Sequence, residues 1–170
     1  MEDADVAELD ALPEAAFADA VGPWFERAPR FLRRLAAARP FRDTATLFAR
    51  ADEIARAMPE VEQLELIDAH PRLGAPPATV SAASFREQGY DRETSDAVAD
   101  LARLNAAYEA RFGFRFCVFV NGRSRRALVP VLEAALDADR DAEIQRALRD
   151  VIAIARDRAA KAVVGIGAAS

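Results

Sequence analysis

The chain is poor in the residues that build the most recognisable sites. Cys117 is its only cysteine, His70 its only histidine and Lys161 its only lysine. A lone cysteine excludes an internal disulfide and a CxxC metal knuckle, and gives no sign of an oxidising compartment. A lone histidine excludes the His-rich sites typical of zinc hydrolases. The longest uncharged stretch, Leu73 to Phe85, holds two prolines and is too short to span a bilayer. No basic excess is present either, since 23 basic against 28 acidic residues leave a net charge of −5. That balance argues against a nucleic-acid binder, which clusters positive charge on one face. The opening Met1-Glu-Asp-Ala-Asp-Val6 lacks the basic-then-apolar layout of a signal peptide, so a cytoplasmic protein without membrane association is expected.

What is present fits a soluble globular protein, with 52% hydrophobic and 30% charged residues. The 170 residues suffice for one domain and are too few for two ordinary ones. A chain of this size buries roughly 70% of its unfolded surface and needs no disulfide or structural metal to do so.

Helical periodicity runs almost throughout. Pro13 and Pro23 sit where helices begin, and Phe31 to Ala38 is apolar on one side. Asp43 is placed to cap a helix carrying Leu47, Phe48, Ala51, Ile54 and Ala55. Pro59 opens a short helix through Val61, Leu64, Leu66 and Ile67 that stops before His70-Pro71. Residues 71 to 83 form the one long irregular stretch, rich in proline and small side chains. A long helix is expected from about Arg92 to Arg111, closed by Gly113. Phe114 to Val120 is the only segment that reads as a strand, and Asn121-Gly122 after it is a turn signal. Ser124 and Asp141 start the last two helices. The expected fold is an all-α bundle with one short extended segment at about 114–120.

Several residues are placed to carry chemistry. His70 can exchange protons near neutral pH, or simply sit against a helix C-terminus. Ser84-Phe-Arg-Glu87 is a capping box, while the helix N-terminus it caps also suits an anionic ligand. Arg158 lies only about 20° around an ideal helix from Val151, beside the buried stripe, with Arg156 beyond its other edge. Its guanidinium either snorkels to water or presents a fork to a carboxylate. Asn105 faces inward between Leu101 and Tyr108 and is expected to tie down a neighbouring loop. Cys117 reads as a small core residue.

Taken in order, these residues carry a resemblance. His70-Pro-Arg-Leu-Gly74, Ser84-x-x-Glu87-Gln88, Leu104-Asn-x-x-Tyr108-x-x-Arg111-Phe-Gly-Phe-x-Phe116, Gly122-Arg-Ser124 and Ala147-Leu-x-x-Val151-x-x-Ile154-x-x-x-Arg158 follow one another at the spacing of one family. Over about residues 10 to 162 the chain resembles the OHCU decarboxylase family (2-oxo-4-hydroxy-4-carboxy-5-ureidoimidazoline decarboxylase), the last step from urate to S-allantoin. The resemblance implies an all-α, cofactor-free and commonly homodimeric enzyme with no metal. It carries catalytic roles onto His70, Glu87 and Arg158. Substrate contacts fall on Pro71, Ser84 and Gln88 and on a lining strand, Phe116, Cys117, Val118, Phe119 and Val120. Gly89-Tyr90-Asp91 and Ala135 depart from the family pattern, at the pocket rim and in the penultimate helix.

The implied set makes chemical sense. Arg158 suits the substrate carboxylate or the charge that develops on decarboxylation, His70 the proton transfer, and Glu87 either the histidine or the ureido N–H groups. The competing reading is a non-catalytic helical module that binds a partner protein through an apolar groove. It would leave His70, Glu87 and Arg158 unrelated in space.

Overall fold

The computed structural model describes residues 3–75 and 95–167. The helices are α1 (Asp3–Ala11), α2 (Glu14–Val21), α3 (Pro29–Ala37), α4 (Thr44–Ala57), α5 (Glu60–Asp68), α6 (Ser95–Phe112), α7 (Arg125–Ala135) and α8 (Arg140–Gly167). A single 3-10 turn, Gly22–Phe25, follows α2 and carries Pro23 at its start. No strand forms among the described residues, and the all-α expectation holds.

Local chemistry sets most boundaries. The Asp43 carboxylate accepts from the Thr46 amide at 2.6 Å, and the Ser124 hydroxyl accepts from the Ala127 amide at 3.2 Å. Each satisfies an N–H that the first helical turn leaves without a partner. The last helix opens one residue before Asp141, because Asp139 is the cap, accepting from the Asp141 and Ala142 amides at 2.9 and 3.2 Å. Gly113, at φ 80°, closes α6 in the left-handed conformation that favours glycine. In α5 the inward face is Gln63, Leu66 and Ile67, and Val61, expected inside, is 70% exposed. Gln63 Nε2 turns inward to donate to the Ala55 and Arg56 carbonyls at 3.2 and 2.9 Å, closing the end of α4. Two residues apart is about 200° around a helix, so burying Gln63 turns Val61 to solvent.

α8 is the central helix, packed on α4, α5 and the 3-10 turn, while α6 packs on α7. Phe17, Phe25, Phe31, Phe41, Phe48, Tyr108 and Phe116 are the large side chains sealed in the core. Tyr108 gathers Phe112, Phe114 and Phe116 around its ring at centroid distances of 4.5, 5.5 and 5.2 Å.

The segment after Gly113 corrects the strand expectation. Its composition suits a strand, but among the described residues no second segment forms a ladder with it. Side chains pair its backbone instead. Asp68 accepts from the Arg115 amide at 2.8 Å, and Arg146 donates to the Cys117 carbonyl at 2.9 Å. Asp150 accepts from the Phe119 amide, and Arg123 Nε donates to the Val120 carbonyl at 3.0 Å. The following turn is as expected. Asn121 and Gly122 both have positive φ, 48° and 71°, and the Arg123 amide closes it onto Val120 O at 3.0 Å.

Glu143 ties this arrangement to the core. It is 4% exposed, accepts from the Tyr108 hydroxyl at 2.7 Å and holds Arg146 through Nε and Nη2 at 3.0 and 2.9 Å. Burial, reinforced by Glu143, raises the Tyr108 phenol well above its usual range, so it stays a neutral donor. Glu143→Ala leaves the buried Tyr108 hydroxyl unpaired and takes one of two carboxylates from Arg146, which keeps Asp150 at 2.7 Å, and a loss of about 2–4 kcal/mol in chemical denaturation is expected. Tyr108→Phe removes one hydrogen bond to a charged group, and should cost only about 1.5–3 kcal/mol.

Candidate functional site

His70 lies two residues beyond the end of α5, its amide bonded to the Ile67 carbonyl at 3.1 Å. Pro71 prevents the helix from continuing. Three interactions then fix the path of the chain. Arg115 Nη1 donates to the Asp68 and His70 carbonyls at 2.6 and 3.3 Å. Asn105 Nδ2 donates to the Leu73 carbonyl at 2.8 Å, the loop-tying role its position suggested. Arg72 clamps Glu109 of α6 through both ends of its fork, with Nη2 to Oε2 at 2.6 Å.

The His70 ring is buried, with Nδ1 3.2 Å from the Leu66 carbonyl. A carbonyl only accepts, so Nδ1 carries the proton and Nε2 presents a lone pair. Nε2 has no partner among the described residues, and the ring lines a cavity of about 170 Å³. Burial, with the Arg158 guanidinium adding to it, pushes the imidazole pKa down to about 4, while the Glu26 carboxylate pulls the other way. The ring is therefore neutral at physiological pH.

Arg158 forms another wall of the same cavity, with its helix neighbours Ile154, Asp157 and Lys161. It is 7% exposed, as its place beside the buried stripe of α8 requires, whereas Arg156 is exposed and lies over the Phe48 ring at 5.3 Å. Of the two expectations for Arg158, snorkelling to water is overturned. Its Nη1 donates to the Pro23 and Trp24 carbonyls at 3.0 and 3.4 Å, and its Nη2 to Glu26 Oε1 at 2.9 Å. The fork is thus already oriented by the 3-10 turn and the residue that ends it.

Pro71, Phe116, Cys117, Val118, Phe119 and Val120 complete the wall with Asn121 and Gly122. Here the side-chain pairing of the extended segment matters, because Arg146 and Asp150 hold Cys117 and Phe119 against α8. Arg146 also covers the Phe116 ring at 4.8 Å. At the rim, Lys161 donates to Asp157 at 2.6 Å.

The structure therefore brings together His70, Pro71, Arg158 and residues 116–120 of the set expected from the sequence. Ser84, Glu87 and Gln88, with the Gly89-Tyr90-Asp91 departure, lie outside the described residues. The convergence of His70 and Arg158 on one cavity is what a non-catalytic binding module would not have required. Sequence reasoning missed Glu26 and Arg146. Arg146 falls on the polar side of the last helix by periodicity, and Glu26 follows a single short turn. Neither position carries a local signal.

Comparison with known proteins agrees with this geometry. The chain is 33% identical over 163 residues to the uric acid degradation bifunctional protein PucL of Bacillus subtilis, a match covering 94% of this chain and 33% of that protein. It is 31% identical over 153 residues to the 2-oxo-4-hydroxy-4-carboxy-5-ureidoimidazoline decarboxylase of Halalkalicoccus jeotgali, covering 88% and 86% of the two chains. The chain thus spans about a third of the bifunctional relative and most of the archaeal one. A crystal structure of OHCU decarboxylase in the presence of (S)-allantoin shares the fold, with a TM-score of 0.68 at 21% identity over 79% of this chain and 90% of that one. The sequence pattern described as OHCU decarboxylase extends over residues 10–160, and the chain belongs to the OHCU decarboxylase family.

Proposed function

We propose that this protein is a carboxy-lyase of urate degradation, converting 2-oxo-4-hydroxy-4-carboxy-5-ureidoimidazoline to S-allantoin and CO2 in the cavity between His70 and Arg158. One observation carries the site assignment. A neutral imidazole, its tautomer set by Leu66 O, offers an Nε2 with no partner among the described residues, and the cavity its ring lines is also lined by a buried guanidinium.

The substrate carries hydroxyl and carboxylate on the same ring carbon. As CO2 leaves, its bonding pair passes toward the ring imine, so the ring is its own electron sink. The imine nitrogen that receives the pair takes a proton from solvent, the resulting enol must lose its hydroxyl proton, and the carbon bearing the ureido group must gain one. His70 Nε2 is in the state to take the first proton and, once charged, to return it to one face of the ring. The substrate carboxylate raises the basicity of the histidine as it binds, offsetting the depression caused by Arg158. Arg158 is held in place before substrate arrives, so orienting it costs nothing during the reaction. Phe116 to Val120 form the wall against which the ring lies, and Pro71 borders it. Glu87, flanked by Ser84 and Gln88, orients the histidine or binds the ureido group. The protein acts in the cytoplasm as one domain and as a homodimer, without nucleic acid or membrane.

The test is to mix urate oxidase, the hydrolase of the next intermediate and this protein, and to follow optical activity. Enantiopure S-allantoin is expected, and racemic product at the uncatalysed rate would sink the proposal.

His70→Asn cannot shuttle a proton and should lower turnover by about 10²- to 10⁴-fold in a folded protein. The sign of its pH effect follows from the depressed pKa. Stability is fully present above about pH 6.5, where the unfolded imidazole is neutral, and falls as acid protonates the unfolded chain toward pH 4. Wild type should lose on the order of 3 kcal/mol to this group across that window, a slope missing from the Asn variant.

Lysine cannot satisfy the Pro23, Trp24 and Glu26 acceptors together and still present a planar edge. Arg158→Lys should therefore lower kcat/KM by about 10- to 150-fold, while Arg156→Lys stays near wild type. Equal tolerance at the two positions would remove Arg158 from the site.

Glu87→Gln keeps the Ser-x-x-Gln form that suits a capping box. Turnover should fall with little change in Tm. A lower Tm with unchanged turnover per folded molecule would leave Glu87 as a cap alone.

A further inference from the structure

Glu26 is a charged group bonded to Arg158 that the reaction above does not use. It ends the 3-10 turn in the left-handed region, at φ 48°, and Arg27 follows at 59°. Glycine adopts this backbone freely and other residues do so at a cost, so the chain accepts strain here while keeping a long acidic side chain. That side chain is 13% exposed and lies 2.9 Å from Arg158 Nη2, whose own side chain is 6% exposed. The same turn offers the Pro23 and Trp24 carbonyls to Nη1. Carbonyls orient the fork without supplying a charge, and the carboxylate adds a counter-charge to the buried guanidinium.

Two other cations near His70 are held by the protein itself: Lys161 is bonded to Asp157 on α8, and the Arg115 guanidinium donates to the Asp68 and His70 carbonyls. Among the described residues, Arg158 and Glu26 act on the imidazole in opposite directions. We propose that Glu26 is a positioning residue of the decarboxylation site, fixing the Arg158 guanidinium at the cavity wall and offsetting its charge at His70. This rests on the reading of the cavity given above.

Because His70 is the only histidine, an imidazole NMR titration of the whole protein reports one ring. Near pH 4 the wild-type ring is about half protonated. Glu26→Gln keeps an oxygen for Arg158 Nη2 but removes the charge, and the ratio of protonated to neutral imidazole at that pH should fall about tenfold. Glu26→Asp keeps the charge and withdraws the carboxylate by one methylene. Its titration should follow wild type while kcat/KM drops roughly tenfold through a loosened Arg158. A Gln variant whose ring titrates like wild type would overturn the proposal, as would an Asp variant with wild-type kcat/KM. Should the Gln variant not fold, the Asp variant decides alone. The titration is read without substrate, so its outcome is separate from the optical-activity assay, which decides the decarboxylase reading on wild type.

Discussion

The backbone of residues 115–120 crosses the interior of a helical protein, and among the described residues no strand lies beside it. Buried amides and carbonyls must be paired, and here side chains pair them. Asp68, Arg123, Arg146 and Asp150 meet that requirement, and Asp68, Arg146 and Asp150 in turn constrain the helices that carry them. Arg146 then needs a counter-charge, which Glu143 and Asp150 supply, and Glu143 draws in the Tyr108 hydroxyl. A chain of polar contacts therefore runs from the aromatic core to the cavity wall. It holds the wall rigid without a sheet, which is what a site reading the edges of a small ring needs.

A similar logic sets the cavity floor. Burial of a guanidinium demands both orientation and neutralisation, and one short turn after α2 meets both demands. Its carbonyls and Glu26 converge on Arg158 from more than 130 residues away in sequence. The result is a fixed cation next to an imidazole that burial keeps neutral. Those two states are complementary, since the cation suits an anionic substrate and the neutral ring suits proton abstraction.

The loop after α5 shows how the fold delivers His70. Proline stops the helix, but the direction of the next residues depends on Arg115, Asn105 and the Arg72–Glu109 clamp. All three contacts reach α6 or the segment that follows it. The histidine is thus aimed by the same region that supplies the opposite wall, and family relationship across residues 10–160 is in keeping with a site shared between distant parts of the chain.

Local rules made much of this legible in advance. Prolines and caps placed α2 to α5 and α7, because a cap or a breaker acts within four residues of itself. Periodicity put Arg158 inward and Arg156 outward, and the Asn121-Gly122 turn and the inward Asn105 followed from single-residue chemistry. α1 escaped notice because Val6 is its only sealed apolar side chain among those described, too little to register as a stripe. Val61 was misplaced because an apolar residue was weighed above Gln63, whose burial depends on two carbonyls of another helix. Phe114 to Val120 has the composition of a strand, yet a strand is a relation between two segments and no second one is present among the described residues. Sequence alone thus determined most of the helices and caps and singled out His70 and Arg158 as candidates. The tertiary structure decided the tautomer and neutral state of the histidine, the orientation of the arginine and the part played by Glu26. Those properties depend on burial and on acceptors far away along the chain, and no local pattern records either.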